Sequence, residues 1–182
     1  MRVIAGAARG RRLGVPAGDR TRPTADRVKE ALFSSLQPRL AGARVLDLYA
    51  GAGGLGLEAL SRGATSVTFV ESDRRALRSL RANIEVVALP GAEVVGLDVG
   101  RALTSDVLVG PFDLVLLDPP YRLSDEELGE VLAALVPLLA PGAHVVVERD
   151  RRAGAPRWPA GLLPVEPRRY GDTAVHRADA GA

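Results

Sequence analysis

The stretch ARVLDLYAGAGGLGLEALSRG, residues 43–63, changes periodicity twice. Val45, Leu46 and Leu48 form a nearly continuous apolar run around one acid, Asp47, as expected for a strand buried on both faces. Gly51, Gly53 and Gly56 follow in G-x-G-x-x-G spacing, and LGLEALSRG then reads as a helix ending at Gly63. A glycine turn that leaves a strand and opens a helix accepts positive φ and brings backbone N–H groups close to a ligand.

The same alternation continues outward. SVTFVES (66–72), AEVVGLD (92–98), FDLVLLD (112–118) and AHVVVER (143–149) read as strands. RRALRSLRANIEVV (74–87), a short RALTSDVLV (101–109) and DEELGEVLAALVPLLA (125–140), capped by Ser124, read as the helices between them. Apolar strands alternating with helices predict a doubly wound α/β domain, a mostly parallel sheet covered on both faces. LLPVEPRRYGDTAVHR (162–177) instead suggests two strands around a turn at Gly171-Asp172. An antiparallel hairpin would then close one edge of a seven-stranded sheet. Residues 153–161 read as a loop, and ADAGA (178–182) as a frayed end.

Ahead of this domain, RVIAG (2–6) and RRLGVP (11–16) could pair as a β-hairpin through AARG. GDRTRPT (18–24) reads as loop. Thr24 is a candidate N-cap for a helix whose stripe is Val28, Leu32 and Leu36 and which Pro38 ends. The expected division is 1–40, a basic hairpin and helix, and 41–182, the ligand-binding domain.

Composition narrows the classes. A chain of 182 residues, 47% apolar, suits one sizeable core. There is no cysteine, which excludes disulfides, thiolate zinc sites and thiol nucleophiles. No apolar run is long enough to span a membrane and no secretory signal is evident, so cytoplasm is the default compartment. Net charge is +2, yet residues 1–30 hold eight basic residues against three acids, leaving the rest net acidic. A basic arm on an acidic body suits an anionic polymer. Arg9, Arg11, Arg12, Arg22, Thr24 and Arg27 are the candidates to hold RNA phosphates.

Several residues cluster around the glycine turn. Glu71 ends the second strand, where a carboxylate can accept both hydroxyls of a ribose, with Ser72 beside it. Tyr49 and Ala50 lead into the turn. Together these indicate an adenosine-containing cofactor, either a nicotinamide dinucleotide or S-adenosylmethionine. Three features lean toward the methyl donor. Asp47, before the turn, disfavours a pyrophosphate, Asp98 could accept from an adenine amine, and the turn contains no lysine or arginine.

LLDPPY places Asp118, Pro119, Pro120 and Tyr121 just past the fourth strand. An exocyclic base amine is a poor nucleophile because its lone pair is delocalised into the ring. Two acceptors on its hydrogens, the Asp118 carboxylate and the Pro119 carbonyl, would hold it pyramidal and stabilise the charge that develops. The prolines fix the turn, and Tyr121 can stack the base. His144 and His176 read as satisfied structural histidines, and no metal site is expected. On these residues alone the acceptor could be an adenine, cytosine or guanine amine.

RVIAGAARGRRLGVPAG, TRPTADRVKEALFSSL, LDLYAGAGGLGLEALSRGA, FVESD, LLDPPY and RRYGDT together resemble the bacterial 16S rRNA guanine-N2 methyltransferases of the RsmD type, over nearly the whole chain. The resemblance implies a class I methyltransferase fold, S-adenosylmethionine as donor and S-adenosylhomocysteine as product. It also implies guanine N2 of 16S rRNA, in the small subunit or its late precursor, as acceptor. It makes Asp118 to Tyr121 the catalytic turn and gives the glycine turn and Glu71 to the donor. The chain departs from the family pattern at Ala52, where serine is common, and at Ser34, where asparagine is common. A monomer is expected. The rival readings are an adenine-N6 or cytosine-N4 nucleic-acid methyltransferase, a non-catalytic ribosome assembly factor and a nicotinamide oxidoreductase.

Overall fold

The computed structural model describes residues 1–16 and 23–181. Arg22 lies outside them. The elements are α1 (Pro23–Leu36), β1 (Arg44–Leu48), α2 (Gly54–Ser61), β2 (Ser66–Val70), α3 (Arg74–Val87), β3 (Ala92–Val95), α4 (Val99–Leu103), β4 (Phe112–Leu117), α5 (Asp125–Leu135), β5 (Leu139–Asp150), β6 (Leu162–Tyr170) and β7 (Thr173–Ala180). They build one seven-stranded sheet in the order β3-β2-β1-β4-β5-β7-β6. The first five neighbours run parallel, and β7 pairs antiparallel with both β5 and β6. The terminal hairpin turns at Gly171-Asp172 as expected. The chain end is firmer than expected, because β7 holds Ala178 and Ala180 against β6.

Two apolar layers sandwich the sheet. Val45, Leu114 and Leu116 face α1, α2 and α3 through Leu32, Phe33, Leu57 and Leu80. Leu46, Leu48, Val115 and Leu117 face α4 and α5 through Val99, Leu103, Leu128 and Leu132. Successive residues of β1 and β4 therefore enter different cores, which is why these strands read as unbroken apolar runs. Asp73 caps α3 by accepting from Arg75 and Ala76, and Ser124 with Glu127 forms a capping box on α5.

The N-terminal arm forms the expected antiparallel hairpin only over a short span. Its pairing is one antiparallel bridge, Arg2↔Arg12, flanked by bonds from Val3 N to Arg11 O (3.0 Å) and from Gly10 N to Val3 O (2.9 Å). A longer ladder cannot form because the next amides bond to α2. Ile4 N and Ala5 N donate to the two carboxylate oxygens of Glu58 at 2.8 and 3.0 Å. Ala8 N donates to Ser61 Oγ at 2.9 Å, and Ala7 N to Ser61 O at 2.7 Å. A Cβ on Gly6 would lie 1.7 Å from Ser61 O, so only glycine permits this approach. Helix α1 opens at Pro23, which puts Thr24 in its first turn rather than at its cap.

Glu58 has no solvent exposure, and its charge is matched by Arg62 Nε at 2.7 Å and Lys29 Nζ at 3.5 Å. A buried carboxylate is tolerated only when paired and hydrogen-bonded, and removing one partner typically costs about 3–5 kcal/mol. Glu58→Ala would remove the acceptor of the Ile4 and Ala5 amides and of Arg62 Nε and leave Lys29, which still donates to the Arg2 carbonyl at 2.6 Å, beside a lost counter-charge. The variant should lose about that much stability in urea unfolding, and the Ile4 and Ala5 amides should lose their hydrogen-exchange protection.

Candidate active site

The sheet is built outward in two directions from β1, so the loops after β1 and β4 flank a crevice at its carboxyl edge, the usual ligand position in such sheets. Leu48 is level with Val70 and with Leu117, and Leu117 is level with Val147. The next residues, Glu71, Tyr49, Asp118 and Glu148, therefore leave four neighbouring strands side by side. A cleft of about 920 Å³ opens there, lined by Tyr49, Gly51, Glu71, Ser72, Asp98 and Asp118 to Tyr121, among others.

The three glycines of the turn do different things. Gly51 (φ 55°) points the place of its missing Cβ into open space, so a ligand can approach the backbone there. Gly53 (φ 85°) is the N-cap of α2, and a Cβ on it would meet Leu80 at 2.5 Å. A Cβ on Gly56 would meet Phe69 at 2.3 Å and Asp47 Oδ2 at 2.8 Å, so its absence lets α2 pack onto the sheet.

The acids differ in availability. Glu71 Oε2 accepts from Gly51 N at 2.8 Å, and Oε1 accepts from Ser72 N and Asp73 N, both at 2.7 Å. These bonds fix the carboxylate at the mouth of the turn. Asp98 is tied down by capping α4 through Oδ1, which accepts from Gly100 N and Arg101 N, yet it still lines the cleft. Asp47 departs from expectation. It is 1% exposed, lies beneath the turn rather than in the cleft, and accepts from Gly56 N at 2.8 Å. Strand alternation points it at α2, so it holds the turn from below. Burial pushes its carboxyl up to about 7, against the Gly56 hydrogen bond and reinforced by the charges of Asp118 and Glu71. Burial, with the charges of Asp98 and Glu127, pushes the Tyr49 phenol up to about 12, so it stays protonated as a donor.

Asp118 opens onto the cleft, but protein atoms crowd it enough that desolvation pushes its carboxyl up to about 6. Tyr121 is 92% exposed, an aromatic face without a ring or cation partner among the described residues. The turn from Asp118 to Tyr121 is also a partition. On its far side lies a second hollow of about 310 Å³, lined by Asp118, Pro119, Tyr121, Glu148, Arg149 and Thr173, among others.

Among the expected RNA contacts, Arg9, Arg11, Arg12 and Arg27 are exposed. Arg11 Nη1 also donates to the Val86 carbonyl and, at 2.6 Å, to that of Val87, at the end of α3. His144 is satisfied by Asp179 at 2.7 Å, but His176 Nε2 is buried without a hydrogen-bond partner, unlike the expected satisfied histidine. No group of three or more His, Asp or Glu among the described residues could hold a metal ion.

Sequence reasoning missed three residues. Glu58 reads along the chain as an ordinary helical acid. Asn83 donates through Nδ2 to Gly14 O and Ala52 O, both at 2.8 Å, and accepts from Gly14 N at 2.7 Å, stitching the arm to the glycine turn. Glu148 ends β5 as Asp118 ends β4, and that parallel, an apolar run stopped by an acid, is the signal that could have found it.

A doubly wound sheet with a glycine turn after β1, an acid after β2 and an acid-proline turn after β4 is the class I methyltransferase architecture. The structure of YhhF from Escherichia coli superposes with a TM-score of 0.87 at 34% identity, covering 100% of this chain and 98% of that one. The hypothetical protein TTHA0928 of Thermus thermophilus gives 0.78 at 33% identity, covering 100% and 99%. The Synechocystis magnesium protoporphyrin IX methyltransferase with bound S-adenosylmethionine gives 0.69 at 15% identity, covering 90% and 87%, and shares the fold alone. The family model described as Conserved hypothetical protein 95 matches residues 1–178, and the chain belongs to that family, the RsmD family. The ribosomal RNA small subunit methyltransferase D of Escherichia coli K12 is 39% identical over 160 residues, 88% of this chain and 80% of that protein.

The raised carboxyl of Asp47 has a stability consequence. Ionisation is disfavoured in the folded state, so its contribution is full below the unfolded value of 3.8 and is lost as pH rises through about 7. Asp47→Asn cannot ionise and retains an acceptor for Gly56 N. Its urea midpoint should gain on the wild type between pH 5 and pH 8, with the smaller difference at pH 5.

Proposed function

We propose that this protein transfers a methyl group from S-adenosylmethionine to the exocyclic N2 amine of a guanine in 16S rRNA, within the small subunit or its late precursor in the cytoplasm. One observation carries the reading: the Asp118–Tyr121 turn stands between the large acid-lined cleft and a second hollow, so one carboxylate borders two binding spaces. The name of the Escherichia coli relative supports ribosomal RNA of the small subunit as substrate.

The cleft fits the donor. Its lining holds Glu71, Asp73, Asp98, Asp118, Glu127 and Glu130 against one cation, Arg122. Such a surface repels a dinucleotide pyrophosphate and favours a cationic sulfonium. Glu71 would hold the ribose, Gly51 the backbone approach and Asp98 the adenine amine. When bound, the donor supplies an electrophilic methyl on a positively charged sulfur.

The chain's own residues prepare the acceptor. Asp118 and the Pro119 carbonyl accept from the two amine hydrogens and keep the nitrogen lone pair free. A fixed negative group is worth most in a water-poor site, where it meets positive charge as it forms on the nitrogen. With its affinity for protons raised, Asp118 Oδ can also take the proton the amine releases. Tyr121 stacks on the base and offsets part of the cost of unstacking it. Residues 1–40 serve as an RNA-facing extension of the methyltransferase domain, 41–182. Arg9, Arg11, Arg12 and Arg27 offer exposed guanidinium groups to phosphates, with Arg11 also bonded to the end of α3.

Asp118→Ala should lower methyl transfer to small subunits by about 10²–10³-fold, with S-adenosylmethionine affinity by calorimetry within a few-fold of wild type. Loss of both would make Asp118 structural. The paired change Arg9→Ala with Arg12→Ala should weaken RNA binding and reduce the slope of log affinity against log salt by about 1–2. An unchanged slope would remove the arm from the RNA interface.

A further inference from the structure

We propose that Glu148 selects guanine, by accepting the N1–H of the base whose N2 amine Asp118 holds. This rests on the guanine-N2 reading above and adds the residue that would choose the base.

Register supplies the geometry. Leu117 and Val147 are partners on the parallel strands β4 and β5. Asp118 and Glu148 are the next residues of each strand and lie on the same face of the sheet, on strands about 4.8 Å apart. Both line the second hollow beyond the proline turn, and Glu148 is absent from the lining of the donor cleft. Two neighbouring carboxylates repel, and neither is paired with a cation among the described residues. A ligand edge bearing adjacent N–H donors would satisfy both.

Guanine has that edge, with N1–H beside N2–H₂. Adenine places the N1 lone pair beside its amine, and cytosine places N3 beside its own. Either would face the ionised Glu148 lone pair to lone pair and lose a hydrogen bond in a confined site. A site built to bond a donor rejects an analogue lacking it far more strongly than apolar contacts can.

The test uses small subunits carrying guanine or 2-aminopurine at the methylated position, with wild-type protein and Glu148→Gln. 2-Aminopurine keeps the amine but has a lone pair at N1. Glu148→Gln should lower transfer to guanine by roughly tenfold or more and shrink the guanine/2-aminopurine ratio by a similar factor. S-Adenosylmethionine affinity by calorimetry should stay within a few-fold, showing a folded donor site. Equal losses on both bases, or no loss on guanine, would overturn the proposal while leaving guanine-N2 methylation standing. N6-methyladenosine or N4-methylcytosine as the wild-type product, identified by mass spectrometry, would overturn the guanine reading and this inference with it.

Discussion

The carboxylate of Glu58 decides how the two parts of this chain can meet. With no solvent contact it must find donors within the protein, and it draws them from three places: the arm amides of Ile4 and Ala5, the Lys29 ammonium of α1 and the Arg62 guanidinium at the end of α2. Arg62 also lies 5.5 Å above the Phe33 ring, so the same cation touches the apolar core. Removing Glu58 would leave several buried groups unsatisfied at once. The arm is consequently a structural part of the fold before it is a candidate for binding anything.

That attachment continues to the donor cleft. Asn83 spends its whole side-chain amide on Gly14 and on Ala52, the residue between the first two glycines of the turn. Met1 packs against the same region, with its sulfur 2.6 Å from where a Gly54 Cβ would lie. The segment proposed to meet RNA is therefore braced against the backbone proposed to meet the donor.

What the sequence made legible follows from what is local. Strands buried on both faces, a glycine turn and an acid-proline turn each declare themselves within a few residues. Parallel register then brings them to one edge without further information. The misreadings are of two kinds. Position before the turn points Asp47 toward the ligand, but side chains alternate along a strand, and that places it against Gly56. Glu58 and Asn83 act across separations of 54 and 69 residues, and no pattern along the chain encodes such partners. Charge alone makes Arg11 a candidate phosphate contact, and the fold also gives its Nη1 the terminal carbonyls of α3. Charge shows that a residue can bind an anion, whereas the fold decides which acceptor it meets first.

The carboxyl edge of the sheet concentrates acids at the ends of neighbouring strands. Desolvation by surrounding protein atoms raises Asp47, Asp118 and Glu148 to about 7, 6 and 7, although Asp118 opens onto the cleft, so ionising each of them carries a cost. Asp47 recovers part of that cost through Gly56, whereas Asp118 and Glu148 have no donor among the described residues. Strain of this kind persists where a ligand supplies the missing partners. Leu117 and Val147, one step earlier, end two apolar runs in the core of the sheet. The two acids interrupt that pattern at the level where Tyr121 is exposed, and the proposed acceptor, a flat base edge carrying N–H donors, would meet both carboxylates and the ring.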